Sequence, residues 1–184
     1  MPSSRTHPFD IALGLRLLST AGTMAELATE MAVAPSQVHS SLRRLELAGL
    51  IRADARRANA RALGEFILFG VRYAFPATRG PLTEGVPTAY SAQPLAAEVD
   101  AVDVVVWPTR PDRDTVRGFS VQPLFRQAPR LLTTSPETYR LLTLVDAMRL
   151  GDPRARNIAR THLERALAWR ATPATGGTVG AAPA

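Results

Sequence analysis

The stretch from Thr23 to Ile51, TMAELATEMAVAPSQVHSSLRRLELAGLI, constrains this chain more than any other, because its boundaries carry physical markers. Thr23 with Glu26 three residues later is a capping-box pattern, in which each side chain receives the other residue's backbone N–H. A first helix is therefore expected to begin at Met24. Leu27, Ala28 and Met31 fall on one apolar face of that helix. Val33 and Ala34 end the run, and Pro35 suits the first turn of a second helix, where its missing N–H costs nothing. Ala34 and Ser36 are both candidates for the cap. Val38, Leu42 and Leu45 recur at helical spacing and are expected to pack inward against Leu27 and Met31. Gly49 fits the left-handed residue that closes a helix.

Two helices across so short a turn have the layout of a helix-turn-helix, whose second helix lies in the DNA major groove. Ser36, Gln37, His39, Ser40, Arg43 and Arg44 remain on the outward face of that second helix. Gln pairs with adenine edges and Arg with guanine edges, while Ser and His serve bases or phosphates. The first residues of such a helix normally reach the bases, so Gln37 and Ser40 are the expected base readers. Arg43 and Arg44, further along, are expected on phosphates. An ordinary solvated helix face would also be polar; it is the whole pattern that favours DNA.

From Phe9 to Ile51 the chain resembles winged-helix transcriptional regulators of the MarR/ArsR type. The resemblance rests on the leading helix DIALGLRLLS and on MAELATEMAVAPSQVHSSLRRLELAGLI, with its L-x-R-L-E-x-A-G-L-I ending. It implies that the leading helix packs on the helix-turn-helix and that a β-hairpin wing follows. A full wing shows two alternating strands around a Gly- or Asn-containing turn. Here the chain reads RADARRANARALGEFILFGVRYAFP from Arg52, rich in helix formers, with Leu63, Phe66, Ile67 and Val71 at helical spacing. A reduced wing near Arg52–Arg57 and then a helix through about Tyr73 are expected. Arg52, Arg56, Arg57 and Arg61 would contact phosphates from this region.

Charge points the same way. Net charge is +6, and every basic residue is Arg. Between Arg43 and Arg79 eight Arg stand against Glu46, Asp54 and Glu65, so the basic surplus lies beside the second helix. Abundant Arg and Ala also suit a GC-rich genome, and Arg57 and Arg61 equally suit a solvated helix face. With no cysteine, disulfides, thiolate nucleophiles and thiol redox sensing are excluded. There is no apolar run of about 18 residues, and the start, MPSSRTHPFD, lacks a signal-peptide core. A cytoplasmic location without membrane contact is the expectation.

The second half is organised differently. FPATRGPLTEGVPTAYSAQP, from Phe75, is dense in Pro and Gly and reads as an irregular connection. VDVVVW at Val102–Trp107 is a strand candidate, and Val116–Val121 a second strand, paired with it as a small β-hairpin across TRPDRD. Ser135-Pro136-Glu137 starts a helix that is apolar over most of its circumference, through Leu141, Leu142, Leu144, Val145 and Met148. Asp152-Pro153 starts another, to about Arg170, with Ile158, Leu163, Ala166 and Leu167 inward. The tail from residue 171 is of low complexity and reads as disordered.

Catalysis finds no pattern here. His7 falls in a lead-in expected to be disordered, His39 on the proposed DNA face and His162 on the last helix, none with a metal-ligand partner one turn away. Asp100, Asp103, Asp112 and Asp114 flank a strand and a turn, where solvated acids are common. No phosphate loop or serine elbow occurs. The expectation is thus a mainly α protein: a winged helix-turn-helix with reduced wing over 1–74, a C-terminal helical region with a small β-hairpin over 75–170, and a tail over 171–184. It is neither an enzyme nor a cofactor or metal binder. Its expected role is a homodimeric regulator of double-stranded DNA, a repressor whose C-terminal helices dimerise, the bland alternative being that they only complete a monomeric core. The alternative is a protein-interaction module, an antitoxin or adaptor. A third possibility gives the VDVVVW hairpin and the Pro/Gly-rich stretch a ligand or partner to recognise.

Overall fold

The computed structural model describes residues 6–19, 21–52, 57–150 and 152–167. Its elements are mostly helical. Helix α1 (Pro8–Arg16) is followed by α2 (Met24–Glu30) and α3 (Pro35–Leu47), then by a two-residue-deep ribbon of β1 (Ile51–Arg52) and β2 (Arg57–Ala58). The capping box at Thr23 forms as the spacing predicts, with the Thr23 N–H donating to Glu26 Oε2 at 2.8 Å and the Glu26 N–H to Thr23 Oγ1 at 3.2 Å. The cap of α3 is Ala34, which offers no side-chain acceptor, with Pro35 in the first turn. Gly49 closes α3 at φ +68°, the left-handed region expected of it. Leu27, Met31, Val38 and Leu45 are fully buried, and Leu42 packs partly buried against them.

A helical stretch then runs as α4 (Ala60–Glu65), a π-helical segment (Phe66–Gly70) and α5 (Val71–Ala74). The apolar stripe read from the sequence is inward, with Leu63, Ile67 and Val71 buried and Phe66 partly so. The widened π turn leaves Phe69 and Tyr73 outward, 53% and 73% exposed.

Two expectations fail in the next segment. The stretch expected to be irregular contains the longest strand described, β3 (Arg79–Pro87), and no simple hairpin forms. Strand β4 (Val105–Pro108) and β5 (Val116–Val121) each pair antiparallel with β3, and β4 and β5 pair parallel with each other, so the three strands close on themselves. The reason is steric. A Cβ at Gly85 would collide with the carbonyl oxygen of Trp107, so the strands approach closely only because that position is glycine. Pro81 falls inside the register shift between Arg79 and Leu82, where a missing N–H breaks no regular ladder. The residues that made the stretch look irregular are those that fit it between two neighbours.

After a short helix α6 (Leu131–Thr134), helix α7 (Pro136–Leu150) passes through the interior, with every residue from Leu141 to Arg149 buried. Its apolar circumference is covered by this chain's own elements, chiefly α8 (Pro153–Ala166), the short helix Ala89–Ser91, α1 and α5. The apolar circumference of α7 is therefore used within this chain, as completion of its own core. Helix α8 is capped by Asp152, whose Oδ1 accepts the Ala155 N–H at 2.7 Å. It turns Ala155, Ala159 and Leu163 inward, whereas Ala166, expected inside, is exposed. One apolar cluster runs from Phe9 to Leu167, and Phe9 meets Phe125 edge to face at 5.2 Å between centroids. No helix among the described residues is long and apolar enough to cross a membrane. The expected tail lies outside the described residues.

Candidate nucleic-acid interface

The orientation of α3 is set by one buried carboxylate. Asp10, with no exposed surface, sits in the first turn of α1, where its Oδ2 accepts the His7 N–H at 2.7 Å while His7 Nδ1 accepts the Phe9 N–H at 3.3 Å. His7 is thus an ordered helix cap rather than part of a loose lead-in. On the other side Asp10 receives the Ser41 hydroxyl at 2.6 Å and a two-pronged contact from Arg44, Nε at 2.8 Å and a terminal nitrogen at 2.6 Å. Two parallel charge-assisted bonds fix direction as well as distance. The carboxylate raises the Arg44 pKa above its ordinary value, through the hydrogen bond first.

With Ser41 and Arg44 turned toward α1, the geometry of α3 puts Ser36, Ser40, Arg43 and Leu47 along one outward line, and all four are exposed. His39 is exposed beside them. Gln37 is half-buried, on the same line as Ser41 and Arg44, at the edge of the face rather than its centre. An open groove of about 420 Å³ lies where the first turns of α1 and α3 meet, lined by His7, Ala34, Ser36, Gln37, Ser40 and Arg44. Asp10 already compensates the α1 dipole and the Arg44 guanidinium, so the positive end left at this groove is the first turn of α3.

The other proposed contacts fall on the following elements. Arg52 and Arg57 are exposed and face each other as cross-strand partners in the ribbon. Arg61, on α4, reaches Glu65 at 3.3 Å in an exposed pair. Arg56 lies outside the described residues. The structure thus gathers Ser36, Gln37, Ser40 and Arg44 around one groove and Arg52 with Arg57 on the ribbon, and leaves His39 and Arg43 on the open side of α3.

Sequence reasoning missed Asp10, Ser41 and His7. The signal was present but faint: an acid two residues after Pro8, with His7 as an uncommon cap. A second buried aspartate was missed as well. Asp146, in the middle of α7, accepts the Thr88 hydroxyl at 2.9 Å, Trp107 Nε1 at 2.5 Å and a short bond from Arg149. Arg149 Nε in turn donates to the Phe75 carbonyl at 2.8 Å. This knot ties α7 to the sheet and to the end of α5. The four aspartates flanking the strand and turn do not gather: Asp103 pairs with Arg79 at 2.8 Å, whereas Asp112 accepts the Asp114 N–H within its own turn. No family model, no curated protein and no solved structure matches this chain.

Proposed function

We propose that this chain is a sequence-specific regulator of the winged-helix type, which lays α3 in the major groove of double-stranded DNA and represses by occupying an operator. The observation that carries the reading is the polar line Ser36, Ser40 and Arg43 on an exposed helix whose opposite side is held by Asp10, Ser41 and Arg44. The Arg52–Arg57 ribbon follows that helix as a reduced wing would. On this reading Ser40 and Gln37 contact bases, Arg43 contacts phosphate, and Arg44 orients the helix and offers its remaining N–H groups to the backbone. Two copies bind two-fold-related half-sites through a surface other than α7.

The test is fluorescence anisotropy on the duplex upstream of the coding sequence against a scrambled duplex, over a salt series. Selective binding that weakens with salt is expected. Arg43→Ala should weaken binding to every sequence and lower the salt slope by about one. If Arg43→Ala leaves affinity and slope unchanged, the orientation assigned to α3 is wrong. A second reading, a protein-interaction module, would use Phe69 and Tyr73, exposed one turn apart on the helical stretch after the ribbon, as its contact surface. Weak binding without preference between the duplexes would support that reading instead.

A further inference from the structure

A cavity of about 200 Å³ lies between the start of β3, the short helix Ala89–Ser91, the loop before β4 and the first turn of α8. Its wall includes Tyr90, only 4% exposed, whose hydroxyl has no hydrogen-bond partner among the described residues. A buried hydroxyl left unpaired is costly, and native interiors seldom contain one without a role. Burial raises the phenol's pKa, Arg79 lowers it, and Asp103 and Asp152 raise it further. All three of those charged residues line the cavity beside Tyr90, whose hydroxyl lies buried behind the cavity wall.

The charges around the cavity are mixed and largely available. Arg79 pairs with Asp103 at 2.8 Å, and its guanidinium lies over the Tyr90 ring at 5.6 Å. Both partners of that pair are nearly half exposed, and an ion pair so exposed is weak, so it can part to uncover the hydroxyl. Asp100 and Arg154 also line the cavity, are exposed, and make no ion pair among the described residues. The volume falls below the usual range for drug-sized ligands, which restricts the occupant to a few heavy atoms.

We propose that this cavity binds a zwitterion of amino-acid size, whose carboxylate accepts from the Tyr90 hydroxyl and the Arg79 and Arg154 guanidiniums while its ammonium group meets Asp100 and Asp103. A ligand carrying both charges replaces the partners that Arg79 and Asp103 give up when they separate. A ligand with one charge leaves one of them unpaired.

The experiment is isothermal titration calorimetry of the full chain with each of the free L-amino acids, and with acetate and choline as carriers of one charge. At least one amino acid is expected to bind with Kd of about 1 mM or tighter, and both single-charge controls at least about tenfold more weakly. Tyr90→Phe removes only the hydroxyl. It should weaken that binding about tenfold or more, while the urea midpoint without ligand stays the same or rises. The proposal is overturned if no amino acid binds, if acetate or choline binds as well as the zwitterion, or if Tyr90→Phe binds like the parent chain.

Discussion

Asp10 and Asp146 are two buried aspartates that each hold an arginine, and they do different work. Asp10 joins α1 to α3, and its partner Arg44 keeps 20% of its side chain exposed at the edge of the proposed interface. Asp146 joins α7 to the sheet, and its partner Arg149 is 5% exposed. The first pair faces a surface and the second is sealed inside the core. Burying a charged pair seldom adds net stability over an apolar replacement, but removing one partner leaves the other uncompensated. The two pairs therefore differ in what their loss exposes: a misaligned helix in one case, an open core in the other.

The largest effect should come from Asp146→Ala. Trp107 Nε1 and the Thr88 hydroxyl lose their acceptor, and Arg149 is left charged in the interior. A loss of about 3–5 kcal/mol is expected in urea denaturation. A loss below about 1 kcal/mol would mean that the knot is not the centre of this half. Asp10→Ala comes next, at about 3 kcal/mol, less than its counterpart because Arg44 can turn to water. It should also weaken selective DNA binding more than it weakens binding to scrambled duplex, since it frees the rotation of α3 without removing a contact residue. If the two duplexes lose affinity equally, the carboxylate does not set the helix's orientation.

The smallest effect concerns pH, and it separates these interior carboxylates from one at the surface. The Thr23 backbone N–H, and then the Thr23 hydroxyl, hold Glu26 below its ordinary value of 4.5. A folded pKa below the unfolded one means that the contribution is present above about pH 4.5 and is lost as pH falls through the folded value. Glu137 behaves in the same direction, chiefly through its hydrogen bond from Arg140. Carboxyl chemical shifts followed by NMR should give Glu26 a midpoint below 4.5; a midpoint at or above it would show that the capping box is open in solution.

The contrast also marks what could be read ahead of the fold. Helix starts at Met24 and Pro153 were legible because a cap acts within three residues of itself, as where Asp152 accepts the Ala155 N–H, and the start at Pro35 because a missing N–H costs nothing in a first turn. The outward line of α3 was legible from its period, though not that Gln37 would sit at its edge. The hold of Asp10 on Ser41 and Arg44, and the roles of Asp146 and Arg149, were not legible, because a charged residue in an apolar run shows its partner only once distant elements are packed. Thr88 and Trp107 lie far from Asp146 along the chain.

Local spacing determined where α2, α3 and α8 begin, where Gly49 ends α3 and which residues of α3 are polar, since those choices depend on neighbours within a turn or two. Tertiary structure alone decided that β3 lies between β4 and β5, that α7 is interior and that Arg44 turns inward to Asp10. In each case the deciding atom belongs to a remote segment: the Trp107 carbonyl that admits only glycine at Gly85, the surrounding helices that cover α7, the carboxylate that captures Arg44.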